Sequence, residues 1–129
     1  MKTSEVMSRT KFMKHRDKMI LNFDFSGLSL EDCGQVCAYV KGMIVRMPKN
    51  SVLTLVNVTD ISYDAAFREL SADLAEHNKP YVVAGAVVGV TGWRKLMFWA
   101  VTKLSGRSNL QLFDDEESAK EWLVAYTPK

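Results

Sequence analysis

Cysteine is scarce in this chain: Cys33 and Cys37 are the only two in 129 residues. They stand four apart in a helical pattern, a spacing at which a mutual disulfide is geometrically awkward. One CxxxC pair with no second pair nearby makes no zinc site, so both are expected as buried, reduced core thiols. Histidine is as rare, and His15 and His77 fall at unrelated positions. Neither joins a Ser/His/Asp or Cys/His arrangement, so nucleophilic catalysis has no residue set to work with. Gly85, Gly89, Gly92 and Gly106 fit neither GxGxxG after the first strand nor GxxxxGKS/T, which excludes the two common phosphate loops. The longest apolar run, Tyr81–Val90, is too short to span a bilayer. The opening MKTSEVMSRTKFMKHRDK lacks the apolar centre of a signal peptide. A net charge of +2 does not by itself call for nucleic acid. These absences lead us to expect a cytoplasmic, non-enzymatic protein with no cofactor, no metal, no nucleic-acid partner and no integral membrane segment.

What is present is ordinary globular material, with 47% hydrophobic and 25% charged residues, enough for one self-sufficient core. Residues 1–10 read as a flexible tail and 11–129 as a single domain. Met19–Phe25 alternates as a strand, in a hairpin with Lys11–His15. Ser29 caps a helix whose Leu30, Cys33, Cys37, Val40, Ile44 and Met47 share one face, with Tyr39 on the other. Ser51–Thr59 is a β-branched strand. Tyr63, Ala66, Phe67, Leu70 and Leu74 make the stripe of a second helix, ended by Asn78 and Pro80. A buried strand over Tyr81–Val90 leads into a third helix from about Gly92 to Ser105. Leu110–Phe113 is a short strand, after which Asp114 caps a last helix with Ala119, Trp122, Leu123 and Tyr126 inward. Alternation of this kind specifies an α/β fold: a mixed, mainly parallel sheet of about five strands flanked by four helices.

Two features carry chemistry. Asp24, Asp60, Asp64 and Asp114 stand where strands end, the edge at which open α/β sheets bind ligands. The same positions start helices and turns, where an acid caps free amides, and that is the better reading. The third helix is the sharper signal. Thr91 and Gly92 open it with free backbone amides, and Arg94, Lys95 and Lys103 add charge. At about 100° per residue, Trp93, Leu96, Met97, Ala100, Val101 and Leu104 fill its inner side. Phe98 and Trp99 then fall outward among the cations, a pattern that suits a membrane surface or a partner.

The succession MILNFDFSGLSLED, SVLTLVNVTDISYDAAF, NKPYVVAGAVVGVTGWRKLMFWAV and LFDDEESAKEWL resembles the STAS superfamily, in its small stand-alone bacterial SpoIIAA-like branch. These proteins are similar to anti-sigma-factor antagonists, and the branch is often linked with CRAL-TRIO-type lipid carriers. The resemblance covers about residues 12–126 and implies a (βα) superhelix around a mixed, mainly parallel sheet. It also implies a non-catalytic binding or regulatory module for an anionic lipid or other amphipathic ligand. The alternative is a protein–protein regulator or homodimer in which Phe98 and Trp99 form a self-complementary patch. The antagonists carry a phosphorylatable serine in an Asp-Ser-Ser-Gly stretch. Here Asp64 is followed by Ala65, Ala66 and Phe67, so the acceptor is missing at that position and Ser62 lies two residues before Asp64.

Overall fold

A five-stranded sheet takes the simplest order, β1-β2-β3-β4-β5, each strand beside its predecessor. The computed structural model describes residues 2–92, 94–95 and 109–128. Within them the chain runs α1 (Thr3–Ser8), β1 (Thr10–His15), β2 (Lys18–Asp24), α2 (Leu30–Ile44), β3 (Val52–Asn57), α3 (Ala65–Asn78), β4 (Val82–Val88), β5 (Leu110–Phe113) and α4 (Glu116–Ala125). The β1–β2 hairpin is antiparallel, and every later pairing is parallel. The expected architecture, a mixed and mainly parallel sheet with four flanking helices, is what the described residues form.

Both faces of the sheet are covered, which is why its central strands carry few polar residues. On one face Leu21, Phe23 and Phe25 pack with Val36, Val40 and Ile44 of α2 and Phe67 and Leu74 of α3. On the other, Ile20, Leu55, Ala84, Ala86 and Val88 pack with Ala119 and Leu123 of α4. Ile20 and Leu21 are neighbours yet fully buried in different clusters, as the two-residue period of a strand requires. The thiols of Cys33 and Cys37 are free and buried.

Several boundaries differ from the sequence reading for identifiable reasons. Residues 1–10, expected as a flexible tail, contain α1, whose Val6 is buried in the first cluster. Val6 and the exposed Met7 are adjacent and make too weak a periodic signal to read, but Val6 is enough to dock the short helix. Leu30 is exposed at the start of α2, while Val36 takes the core position. Tyr39, assigned outward, packs against the first cluster. Ala66 of α3 faces solvent. The expected helix from Gly92 to Ser105 lies mostly outside the described residues.

The cap of α4 is Asp115 rather than Asp114. The Asp115 carboxylate accepts from the Ser118 amide at 2.7 Å, and Asp114 instead takes the Lys95 ammonium at 3.1 Å. Hydrogen bonding from Ser118 holds the Asp115 carboxyl below its ordinary value. A lowered folded-state value means the cap contributes above the usual carboxylate range, near pH 4, and fades as pH falls through the lowered value. Asp115→Ala is expected to lower the melting temperature by about 3 °C and Asp114→Ala by much less, read by thermal denaturation at neutral pH.

Candidate functional site

The parallel strands deliver their C-terminal ends to one edge of the sheet, where three loops are tied together by backbone hydrogen bonds. The Phe25 amide donates to the Asn57 carbonyl, Gly27 to Thr59, and Val58 to Val88, at 2.9, 3.0 and 2.9 Å. Asn57 closes the next turn with its side chain: its Oδ1 accepts from the Thr59 amide at 2.9 Å and from the Thr59 hydroxyl at 2.6 Å. Asparagine offers this carboxamide mimic of a backbone turn, and the following Asp60 sits in the left-handed region at φ 57°. Gly89, directly after β4, has φ 94° and lies against the Thr59 backbone.

Between these loops is a cavity of about 110 Å³. Its apolar walls are Val58, Ile61 and Val90, with Tyr63 beside them; Thr59, Asp60, Thr91 and Arg94 supply polar groups. Ile61 is buried and separates it from a smaller hollow of about 70 Å³ lined by Leu28, Cys33, Ser62 and Phe67. Burial pushes the Tyr63 hydroxyl upward, partly opposed by Arg68, so the phenol stays neutral here. The Tyr63 ring meets Phe67 at a centroid distance of 5.6 Å, and Phe67 meets Phe25 at 6.1 Å, joining the site floor to the core.

Of the residues read from the sequence as binding, Thr91 and Arg94 line the larger cavity. Gly92 is exposed at φ 63°, and its carbonyl accepts from the Lys95 amide at 3.1 Å. Lys95 reaches across to Asp114 beyond β5. Phe98, Trp99 and Lys103 lie outside the described residues, as do Trp93, Leu96 and Met97.

The strand-end acids do separate jobs. Asp24 Oδ1 accepts from the Ser26 amide at 2.8 Å and stands 3.8 Å from Arg9, whose guanidinium donates to the Ser26 carbonyl at 2.7 Å. Asp64 caps α3 through the Phe67 amide at 2.9 Å. Asp60 holds the turn, and Asp114 pairs with Lys95. Among the described residues these four acids form no three-ligand cluster. The thiols are equally unsuited to chemistry: burial raises Cys33 and pushes Cys37 up to about 12, so neither is a thiolate at neutral pH.

Sequence reasoning centred the site on the segment after β4 and missed the β3–α3 loop that forms half of the cavity. The signal was present in Asn57, which bends the chain three residues before Asp60. Its counterpart is Gly89, a glycine placed where a buried strand ends.

A family model described as SpoIIAA-like matches residues 20–124. A comparison with curated proteins finds no match. Two solved structures share the fold. One is an uncharacterized protein of the DUF3478 family with a SpoIIAA-like fold from Shewanella loihica PV-4. It is 18% identical over 88% of this chain and 91% of its own, with a TM-score of 0.61. The other is an anti-sigma-factor antagonist (STAS) domain protein from Planctomyces limnophilus. It is 12% identical over 90% of this chain and 98% of its own, with a TM-score of 0.59. No helix among the described residues is long and apolar enough to cross a membrane.

Proposed function

Because the chain belongs to the SpoIIAA-like family, we propose that it is a non-catalytic binding and regulatory module working from the C-terminal ends of β3 and β4. The carrying observation is the cavity there, which Val58, Ile61 and Val90 line together with polar residues that include Arg94 and Asp60. At about 110 Å³ it is far below the roughly 300–1,000 Å³ of sites that enclose a small molecule. That size suits one anionic group projecting from a larger body, a headgroup or an acidic side chain, rather than a swallowed acyl chain. Thr91 and Gly92 supply backbone donors to it and Arg94 and Lys95 the charge, while Phe98, Trp99 and Lys103 extend the contact with rings and a further cation. The larger body is an anionic membrane surface in this reading. The alternative is a protein, including a second copy of the chain, and it draws support from the neighbour described as an anti-sigma-factor antagonist domain. Protonated thiols and singly employed acids support the absence of catalysis.

Co-sedimentation with phosphatidylglycerol-containing and pure phosphatidylcholine vesicles separates the two. The membrane reading expects about tenfold more protein on the anionic vesicles, lost in Arg94→Glu and in the Phe98→Ser/Trp99→Ser double variant. Equal sedimentation with both vesicles, together with a dimer by light scattering that Trp99→Arg makes monomeric, replaces it with self-association. Equal sedimentation and a monomer throughout removes the membrane and self-association readings and leaves a different protein as the partner.

A further inference from the structure

At the other end of the sheet, the turn of the β1–β2 hairpin meets α4. His15 closes β1, and Arg16 at φ 54° turns the chain toward Lys18, whose ammonium donates to the Val124 carbonyl at 2.9 Å. Glu117 and Glu121 stand one helical turn apart on α4, so their carboxylates share the face turned to the hairpin. The fold thereby gathers an imidazole and two carboxylates from positions about a hundred residues apart in sequence.

We propose that His15, Glu117 and Glu121 bind a divalent transition-metal ion of the zinc type. One donor atom from each lies within 4.8 Å of the other two. Zinc holds nitrogen and oxygen ligands at about 2.0–2.2 Å, which places them roughly 3.3 Å apart around a tetrahedron. Closing the site takes about an ångström of travel in glutamate side chains that are exposed or half-buried. His15 Nε2 adds a second, independent observation. It is sealed from solvent and faces Glu121 Oε2 at 3.6 Å, an ion-pair separation rather than a close hydrogen bond. A metal ion between the ring nitrogen and the carboxylates replaces that long contact with coordinate bonds. Charge balances as well, since two carboxylates and a neutral imidazole match a dication, and imidazole with carboxylate suits zinc.

Arg16 is the competitor. Its Nε and Nη2 donate to the two oxygens of Glu121 at 2.7 and 2.5 Å. The guanidinium is two-thirds exposed and can swing into water when the ion takes its place. Arg16 thus sets how tightly the site binds.

Zinc titration by calorimetry, with cobalt absorption reporting the coordination, tests the assignment on the full chain. One ion per chain is expected, weakened at least about tenfold in His15→Ala and in Glu117→Gln, and tightened several-fold in Arg16→Ala. Glu117 is exposed, so its glutamine variant keeps the fold and isolates the ligand. No saturable uptake overturns the proposal. So does uptake unchanged in both ligand variants, or uptake that survives His15→Ala but is lost in Cys33→Ser/Cys37→Ser.

Discussion

Gly89→Ala is expected to destabilise the protein by about 3–4 kcal/mol, one of the largest effects of any single methyl group in the chain. Two costs add. The residue sits at φ 94°, a conformation side chains rarely adopt, and an added Cβ would fall 2.5 Å from the Thr59 amide nitrogen and 2.9 Å from its Cα. Both are backbone atoms, so no rotamer change relieves the contact; either the β3–α3 loop or the end of β4 must move. Gly34 in α2 makes the matched control, because nothing lies within 4 Å of its hypothetical Cβ. Gly34→Ala should instead stabilise by roughly 0.5–1 kcal/mol through helix propensity. Urea unfolding of the two variants checks both signs. A Gly89→Ala protein as stable as the parent would mean that Thr59 and Gly89 do not press together as described, and the cavity they line would lose its defined shape.

That close approach also marks where the sequence stops being legible. Hydrophobic periodicity identified the sheet, its parallel character and the helices, because burying both faces leaves a dense pattern: Leu21 beside Ile20, or Val82 through Val88 with little polar interruption. Local chemistry was readable as well, since Ser29 and Asp64 announce their caps by type and position, and both side chains accept the expected amides. Asp114 and Asp115 illustrate the limit. Two consecutive aspartates are equivalent as caps by type, and the choice fell to Lys95, which occupies the first from a segment nineteen positions earlier. The site suffered from the same cause on a larger scale. Thr59 reaches Gly89 and His15 reaches Glu121 only because the sheet places β3 beside β4 and the helix α4 beside the hairpin. No spacing rule along one chain contains those distances. Arg94 was singled out for its charge, but the walls that give the charge a setting, Val58, Ile61 and Val90, are apolar residues of the kind that read simply as core.

Leu123→Ala should cost about 3 kcal/mol, and its consequences reach beyond stability. Leu123 and Ala119 are the two fully sealed side chains of α4, packed on Ile20, Leu55 and Ala86 across the second face of the sheet. Alanine cannot lose more side chain without harm to the helix, so Leu123 carries the docking. Trp122 offers partial help through ring contacts with Phe113 at 5.5 Å and Tyr126 at 5.3 Å, both at the margin of the interface. Removing the leucine therefore loosens α4 as a unit, and amide exchange is expected to accelerate along Glu116–Ala125 more than along α2. Because Glu117 and Glu121 travel with that helix, the same variant should bind zinc more weakly. Linkage makes the reverse effect measurable: ion at a hundred times its dissociation constant should restore about 2.7 kcal/mol of the loss. The double variant His15→Ala/Leu123→Ala should recover at most about half as much at the same zinc concentration, roughly 1.4 kcal/mol for a tenfold weaker site. Equal recovery in both proteins would show that the ion acts elsewhere on the molecule, while the smaller recovery in the double variant ties α4 docking to the imidazole at the end of β1.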